Sequence, residues 1–96
     1  MNDIVEFANR EEFRKWLYEH CRSNEGVWLL FGKTGGPKTI KAQEALEEAL
    51  CFGWIDGQMQ SLDDKTYKKY FQDILLFFSY HLQQQWNKNR YLYISY

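Results

Sequence analysis

Ninety-six residues hold one small domain, and a chain of this length buries only about 60–65% of the surface its unfolded form exposes. The composition is globular, with 45% hydrophobic and 26% charged residues, and 19% aromatic side chains let a small core bury area with few residues. A formal net charge of −1 excludes a global basic field for nucleic acid or anionic membrane, leaving room only for a local patch.

The two cysteines, Cys21 and Cys51, lack CxxC spacing, which argues against a redox motif or a cysteine-rich zinc site. The opening MNDIVEFANREEF has neither the basic nor the apolar region of a secretory signal, and the longest apolar run, residues 74–78, is far short of a membrane span. The expected setting is therefore the cytoplasm, with both thiols reduced and no membrane partner.

In chain order, the first expected element is a helix over residues 10–23. Asn9 can cap it, with Glu12 three residues on in a capping-box pattern. Phe13, Trp16, Leu17 and Cys21 form its apolar stripe, with His20 at the edge, while Arg14, Lys15, Glu19 and Arg22 take the solvent side. Residues 27–31 (VWLLF) read as a strand buried on both faces, and 33–38 (KTGGPK) as a loop.

A second helix is expected over residues 40–52, capped by Thr39. Its stripe is Ala42, Ala45, Leu46, Ala49 and Leu50, with Glu44, Glu47 and Glu48 on a solvated face. Gly53 ends it. From Trp54 the period becomes two, which places Trp54, Asp56, Gln58 and Gln60 on one face and Ile55, Gly57 and Met59 on the other. Residues 62–65 (LDDK) carry turn chemistry and 66–71 return as a second strand, so a hairpin is expected. The fold class that follows is a two-layer α+β domain, with two to three helices on a small, mainly antiparallel sheet. Leu75, Phe78, Leu82 and Trp86 extend it with a helical stripe to about residue 87.

Residues 49–57 (ALCFGWIDG) concentrate two glycines, a tryptophan and a cysteine at a helix-to-strand junction. This segment resembles the YdeI/OmpD-associated, or bacteriocin-protection, family. Trp16-Leu17, Val27-Trp28-Leu29, Lys33, Leu62-Asp63, Tyr67 and Tyr70-Phe71 agree with that family's order over residues 7–71. The resemblance implies a fold similar to the YjbR/CyaY-like α+β group and a link to bacterial stress or antimicrobial-peptide tolerance, with no assigned chemistry. That family continues with a Pro-Arg pair and a Ser-x-Trp-Ser-x-x-Asn segment, whereas Phe71 here is followed by Gln72-Asp73-Ile74. The expected organisation is a domain over 1–71 and a divergent or frame-shifted tail over 72–96, through which a homodimer could form. Other reading frames of the gene that lack both motifs after codon 71 would sink the frame-shift idea.

No residue set reads as catalytic, and neither a metal nor a cofactor is expected. Gly32-Lys33-Thr34 is similar to a P-loop ending, but the required upstream glycine is Val27 and Gly35-Gly36-Pro37 blocks the helix that must follow. Cys51, near a helix C-terminus where the dipole disfavours a thiolate, reads as a packed core thiol, with a thiol enzyme as the remote alternative. The candidate ligand site is a pocket floored by Trp54 with Asp56 and Lys33 at its rim, for an unknown small molecule or protein. The alternative is nucleic acid on a basic-aromatic strand of Lys65, Tyr67, Lys68, Lys69 and Tyr70, against which the net charge weighs. The plainer reading of those residues is a lysine-protected edge strand.

Overall fold

The structure, a computed structural model, describes residues 4–22 and 25–79. In chain order the elements are β1 (Ile4–Val5), α1 (Arg10–His20), β2 (Val27–Gly32), α2 (Ala42–Cys51), β3 (Trp54–Ser61) and β4 (Thr66–Asp73). Residues 74–79 are helical as well. The strands form one sheet in the order β1-β2-β4-β3, with β1 parallel to β2 and the other pairs antiparallel. Helices α1 and α2 pack on one face of it, so the domain is a small two-layer α+β fold, as the sequence leads one to expect. The strand that periodicity did not reveal is β1, whose two residues, paired with Trp28 and Leu29, are too short to show a period. Among the described residues no helix is long and apolar enough to cross a membrane. The expected continuation of the last helix to about residue 87 lies outside the described residues.

Helix α1 starts where its cap chemistry places it. The Asn9 side chain accepts a hydrogen bond from the Glu12 N–H at 3.0 Å, and the Glu12 carboxylate accepts from the Ala8 N–H at 2.8 Å. Phe13 and Leu17 face the core. Regular helix stops at His20, earlier than expected, and Cys21 closes the last turn through its N–H to the Leu17 carbonyl.

Strand β2 corrects one expectation. Val27, Leu29 and Phe31 are buried, but Trp28, Leu30 and Gly32 are only half-buried, because α1 and α2 cover the other face of the sheet. The run is apolar throughout for a second reason: Trp28 packs against Tyr70 on the open face, with ring centroids 5.2 Å apart. Thr39 does not cap α2. Its hydroxyl accepts from the Gly32 N–H at 3.0 Å, and the helix starts two residues later behind Lys41.

The buried stripe of α2 is rotated from the expected one. Ala45, Glu48 and Ala49 face inward, Leu46 is half-buried and Leu50 is 50% exposed. Two arginines of α1 draw Glu48 in. The Arg14 Nε donates at 2.7 Å to one carboxylate oxygen, and Arg10 Nε at 2.8 Å and Arg14 Nη2 at 3.1 Å reach the other. Arg14 is thus a cross-helix partner in addition to being solvent-facing.

The junction at residues 49–57 forms as expected. The Phe52 and Gly53 N–H groups turn back to the Ala49 and Leu50 carbonyls, and Gly53 adopts φ +76°, a left-handed conformation that glycine takes without a Cβ clash. Trp54 is then fully buried, its indole Nε1 donating at 3.0 Å to the Cys21 carbonyl at the end of α1. The Gly53 carbonyl accepts from the Ile74 N–H at 2.8 Å. One short segment therefore ties α2 to the end of α1 and to the chain beyond β4.

The hairpin forms with one irregularity. Asp56 pairs with Phe71 but Met59 pairs with Lys69, a register shift that lies between Asp56 and Met59. The expected alternation therefore holds for Trp54 and Asp56 and then breaks, so that Met59 and Ser61 continue the helix-facing side in place of Gln58 and Gln60. Strand β4 lies inside the sheet between β2 and β3, which corrects the edge-strand reading: its lysines protect no free edge.

Candidate functional site: a ring-lined cleft with lysines at its rim

Residues 33–42 (KTGGPKTIKA) carry three lysines and no acid. They connect β2 to α2 and are pinned at several points. The Lys33 N–H donates to the Lys65 carbonyl at 2.7 Å, Gly36 N–H to the Lys33 carbonyl at 2.8 Å, and Ile40 N–H to the Phe7 carbonyl at 2.8 Å. Gly32 lies against the Pro37 carbonyl and Gly36 against that of Lys65, so closely that a Cβ at either position would collide with backbone. Both glycines are there for close approach.

Between this connection and the sheet lies an open cleft of about 440 Å³. One wall is Phe31, Gly32 and Tyr67; the other is the chain from Pro37 to Ala42. The Phe31 and Tyr67 rings stack at 5.3 Å and 24°, with Phe31 buried behind the half-buried Tyr67. Lys38 and Lys41 are exposed on the rim, and no acidic residue lines the space. The first turn of α2 opens onto it. The Lys41 N–H at its start is met by the Glu44 carboxylate at 3.3 Å, so the positive charge at this end of the cleft comes from the lysine side chains.

The hairpin end of the molecule is rigid for polar reasons. Asp63 accepts hydrogen bonds at 2.8 Å from the Lys65 N–H, the Thr66 N–H and the Thr66 hydroxyl. The Lys65 N–H first, and then the Thr66 hydroxyl, hold its carboxyl below the usual aspartate range. Lys33 adds its ammonium to the same turn, donating at 2.8 Å to Ser61 Oγ and to the Asp63 carbonyl. That accounts for Lys33 structurally, and it points away from phosphate chemistry at Gly32-Lys33-Thr34.

The expected pocket of Trp54, Asp56 and Lys33 does not assemble. Trp54 is sealed in the core under the end of α1. Asp56 pairs with Lys69 at 3.3 Å on the helix-facing side of the sheet. Lys33 lies beyond the Gly32–Thr66 pair, five residues along β4 from the Asp56–Phe71 pair, which is about 17 Å at strand rise. The five residues of the basic-aromatic strand are also separated. Alternation sends Lys68 and Tyr70 to the open face and Tyr67 and Lys69 to the other, with Lys65 in the turn. What the open face does assemble is Trp28, Tyr70 and Lys68, whose Nζ lies 4.1 Å from the Trp28 ring centroid.

Three further expectations can be placed. Cys51 is exposed on the last turn of α2 and is not a packed core thiol, because the rotated stripe turns Glu48 and Ala49 inward instead. His20 is engaged locally, its ring stacked 4.4 Å from that of Trp16 and its Nδ1 2.8 Å from the Trp16 carbonyl. Leu75, Leu76 and Phe78 are exposed on the last described helix, and the rest of the tail stripe lies outside the described residues. Among the described residues no three His, Cys, Asp or Glu side chains are grouped to hold a metal ion.

Sequence reasoning missed the cleft. Its signal was present in KTGGPKTIKA, a connection rich in lysine and free of acid, but a wall of that cleft is Tyr67, 25 residues beyond Ala42. No curated protein and no solved structure matches the chain. A family model described as "Domain of unknown function (DUF8412)" matches residues 5–73, the stretch from the second residue of β1 to the end of β4, with both packed helices and the cleft; on that match, which spans most of its length, the chain belongs to this family.

Proposed function

We propose that this chain is a ligand-binding domain of the YdeI/OmpD-associated type, working in the bacterial cytoplasm in tolerance of stress and antimicrobial peptides. The resemblance over residues 7–71 supports the type. The observation that carries binding is the cleft beside Tyr67, whose volume lies in the range of small-molecule sites and whose walls are preset by backbone hydrogen bonds. The site of action moves accordingly, from the Trp54 junction to the opposite end of the sheet.

A second reading has its own observation. Trp28, Tyr70 and Lys68 form a ring-and-cation group on the open face, of the kind on which bases of a single strand stack. With Lys68 as the cation that β4 presents there, binding would fall only shallowly with salt, at a slope of about −0.7 per phosphate neutralised.

One experiment separates the two readings. Amide chemical shifts of the full chain are followed while a mixture of small aromatic and heteroaromatic fragments, and separately oligothymidylate, is added. The first reading expects saturable fragment shifts at Gly32, Thr39 and Ala42. The second expects oligothymidylate shifts at Trp28 and Tyr70. Fragments that leave the cleft amides unmoved would overturn the first, and an oligonucleotide without effect at low salt would overturn the second.

A further inference from the structure

We infer that the cleft selects a planar aromatic anion of one or two rings, its ring against Tyr67 and its negative charge between Lys38 and Lys41. This rests on the reading of the cleft as a ligand site and adds the chemical class of the ligand.

The ring preference follows from the wall. Phe31 is 1% exposed and stacks on Tyr67, so Tyr67 is held flat from behind and is the ring available to the cleft. Offset stacking on a ring already fixed in place costs little side-chain entropy. The opposite wall is mainly apolar at Pro37, Ile40 and Ala42, which suits the second face of a flat ligand. A space of about 440 Å³ holds a ligand of one or two rings and is small for a dinucleotide.

The charge preference follows from the rim. Two lysines and no acid line the cleft. Among the described residues neither Lys38 nor Lys41 forms an ion pair; the five ion pairs use Arg10, Arg14 and Lys69. The nearest acid in sequence, Glu44, is turned to the Lys41 backbone N–H at 3.3 Å and toward Arg10 at 4.0 Å. Both rim ammonium groups are thus free to meet an incoming carboxylate. An uncharged ring would gain the wall but not the rim, and a bare anion the rim but not the wall.

The test compares three probes on the full chain at fixed ionic strength: indole-3-acetate, its uncharged amide, and inorganic phosphate. Binding is read from the amides of Gly32, Thr39 and Ala42. Indole-3-acetate is expected to bind at least tenfold more tightly than the amide, and phosphate alone to give no saturable shift. The double variant Lys38→Gln, Lys41→Gln, altered at two exposed positions, is expected to lose that tenfold, so that the acid binds no more tightly than the amide. Equal affinity for acid and amide would overturn the charge selection while leaving the cleft a ligand site. Phosphate that saturates the same amides would overturn the ring requirement. If none of the three probes moves these amides while other fragments do, the ligand class is wrong and the site stands; if no fragment does, both fall.

Discussion

Trp54→Ala is expected to remove a large share of the stability of this domain. Trp54 is a fully buried side chain, in edge-on contact with Trp16 at 5.8 Å, and its indole N–H satisfies the Cys21 carbonyl at the end of α1. Truncating a buried tryptophan costs about 3–5 kcal/mol through lost burial and the cavity left behind. A domain of this size has a total of roughly 5–14 kcal/mol to lose. At the low end of that range the variant does not fold, so a second variant is needed. Trp54→Phe keeps most of the buried area and removes only the N–H, and with it the hydrogen bond to the Cys21 carbonyl, at about 1–2 kcal/mol. Urea unfolding followed by far-ultraviolet circular dichroism measures both. A Trp54→Ala midpoint equal to that of the parent chain would show that Trp54 is not the core anchor described here.

Glu48→Gln has the second largest expected effect, and it carries a pH signature. The Arg14 guanidinium, and with it Arg10, lowers the Glu48 carboxyl from 4.5 to about 2, against a burial cost that acts the other way. The folded pKa lies below the unfolded one. The stabilisation is therefore complete above about pH 5 and is lost as pH falls from 4.5 toward 2. At 1.36 kcal/mol per pKa unit the shift sets a ceiling of about 3 kcal/mol. The arginine side chains are 32% and 54% exposed, so water recovers part of what they lose, and about 2 kcal/mol is the expected cost of Glu48→Gln at pH 7. For a domain of this size that lowers the melting temperature by about 10 °C. Between pH 6 and pH 2.5 the parent chain should lose more stability than the variant. Parallel pH profiles for the two would refute the assignment of Glu48 as the acid-sensitive tie between α1 and α2.

Both effects arise from residues whose importance was only half visible in sequence. Trp54 was singled out for its place in ALCFGWIDG, but as a pocket floor. Its partner is a backbone carbonyl 33 residues earlier, which no local pattern announces. Glu48 was assigned to solvent with Glu44 and Glu47 because all three lie off the stripe of Ala42, Ala45, Leu46, Ala49 and Leu50. The stripe rotated because Arg10 and Arg14, one turn apart on α1, present two guanidinium groups to a single carboxylate. Burying a carboxylate is costly alone and tolerable when several charge-assisted hydrogen bonds meet it. A helical period computed on hydrophobicity has no term for that.

The same division runs through the candidate site. Lys33 and Lys38 were legible in a loop over residues 33–38, but Lys41 was assigned to the helix after it, and the separation of the three was not legible. Lys33 is spent on the hairpin turn, while Lys38 and Lys41 are left at the rim of a cleft whose other wall is Tyr67. Tyr67 itself looked like one of five residues on a basic-aromatic strand. Alternation alone separates it from Lys68 and Tyr70. Strand order then places β4 in the middle of the sheet, which sequence could not reveal because it depends on which strand β2 pairs with.

By itself the amino-acid order determined what is decided within four or five residues. Asn9 with Glu12 starts a helix, Gly53 ends one in a left-handed turn, Asp63 organises a hairpin turn, and a change of period marks the passage from helix to strand. These outcomes rest on backbone sterics and on hydrogen bonds to near neighbours, which act whatever the rest of the chain does. Only the tertiary structure decided the strand order, the inward turn of Glu48, the diversion of Thr39 from helix cap to strand staple, and the meeting of Tyr67 with Lys38 and Lys41. Each of those depends on which surfaces pack together, and packing brings together residues that lie from seven to almost forty positions apart. The junction at residues 49–57 belongs to both kinds: its turn is local, and its role as the knot joining α1, α2 and the end of β4 exists only once the core has closed around Trp54.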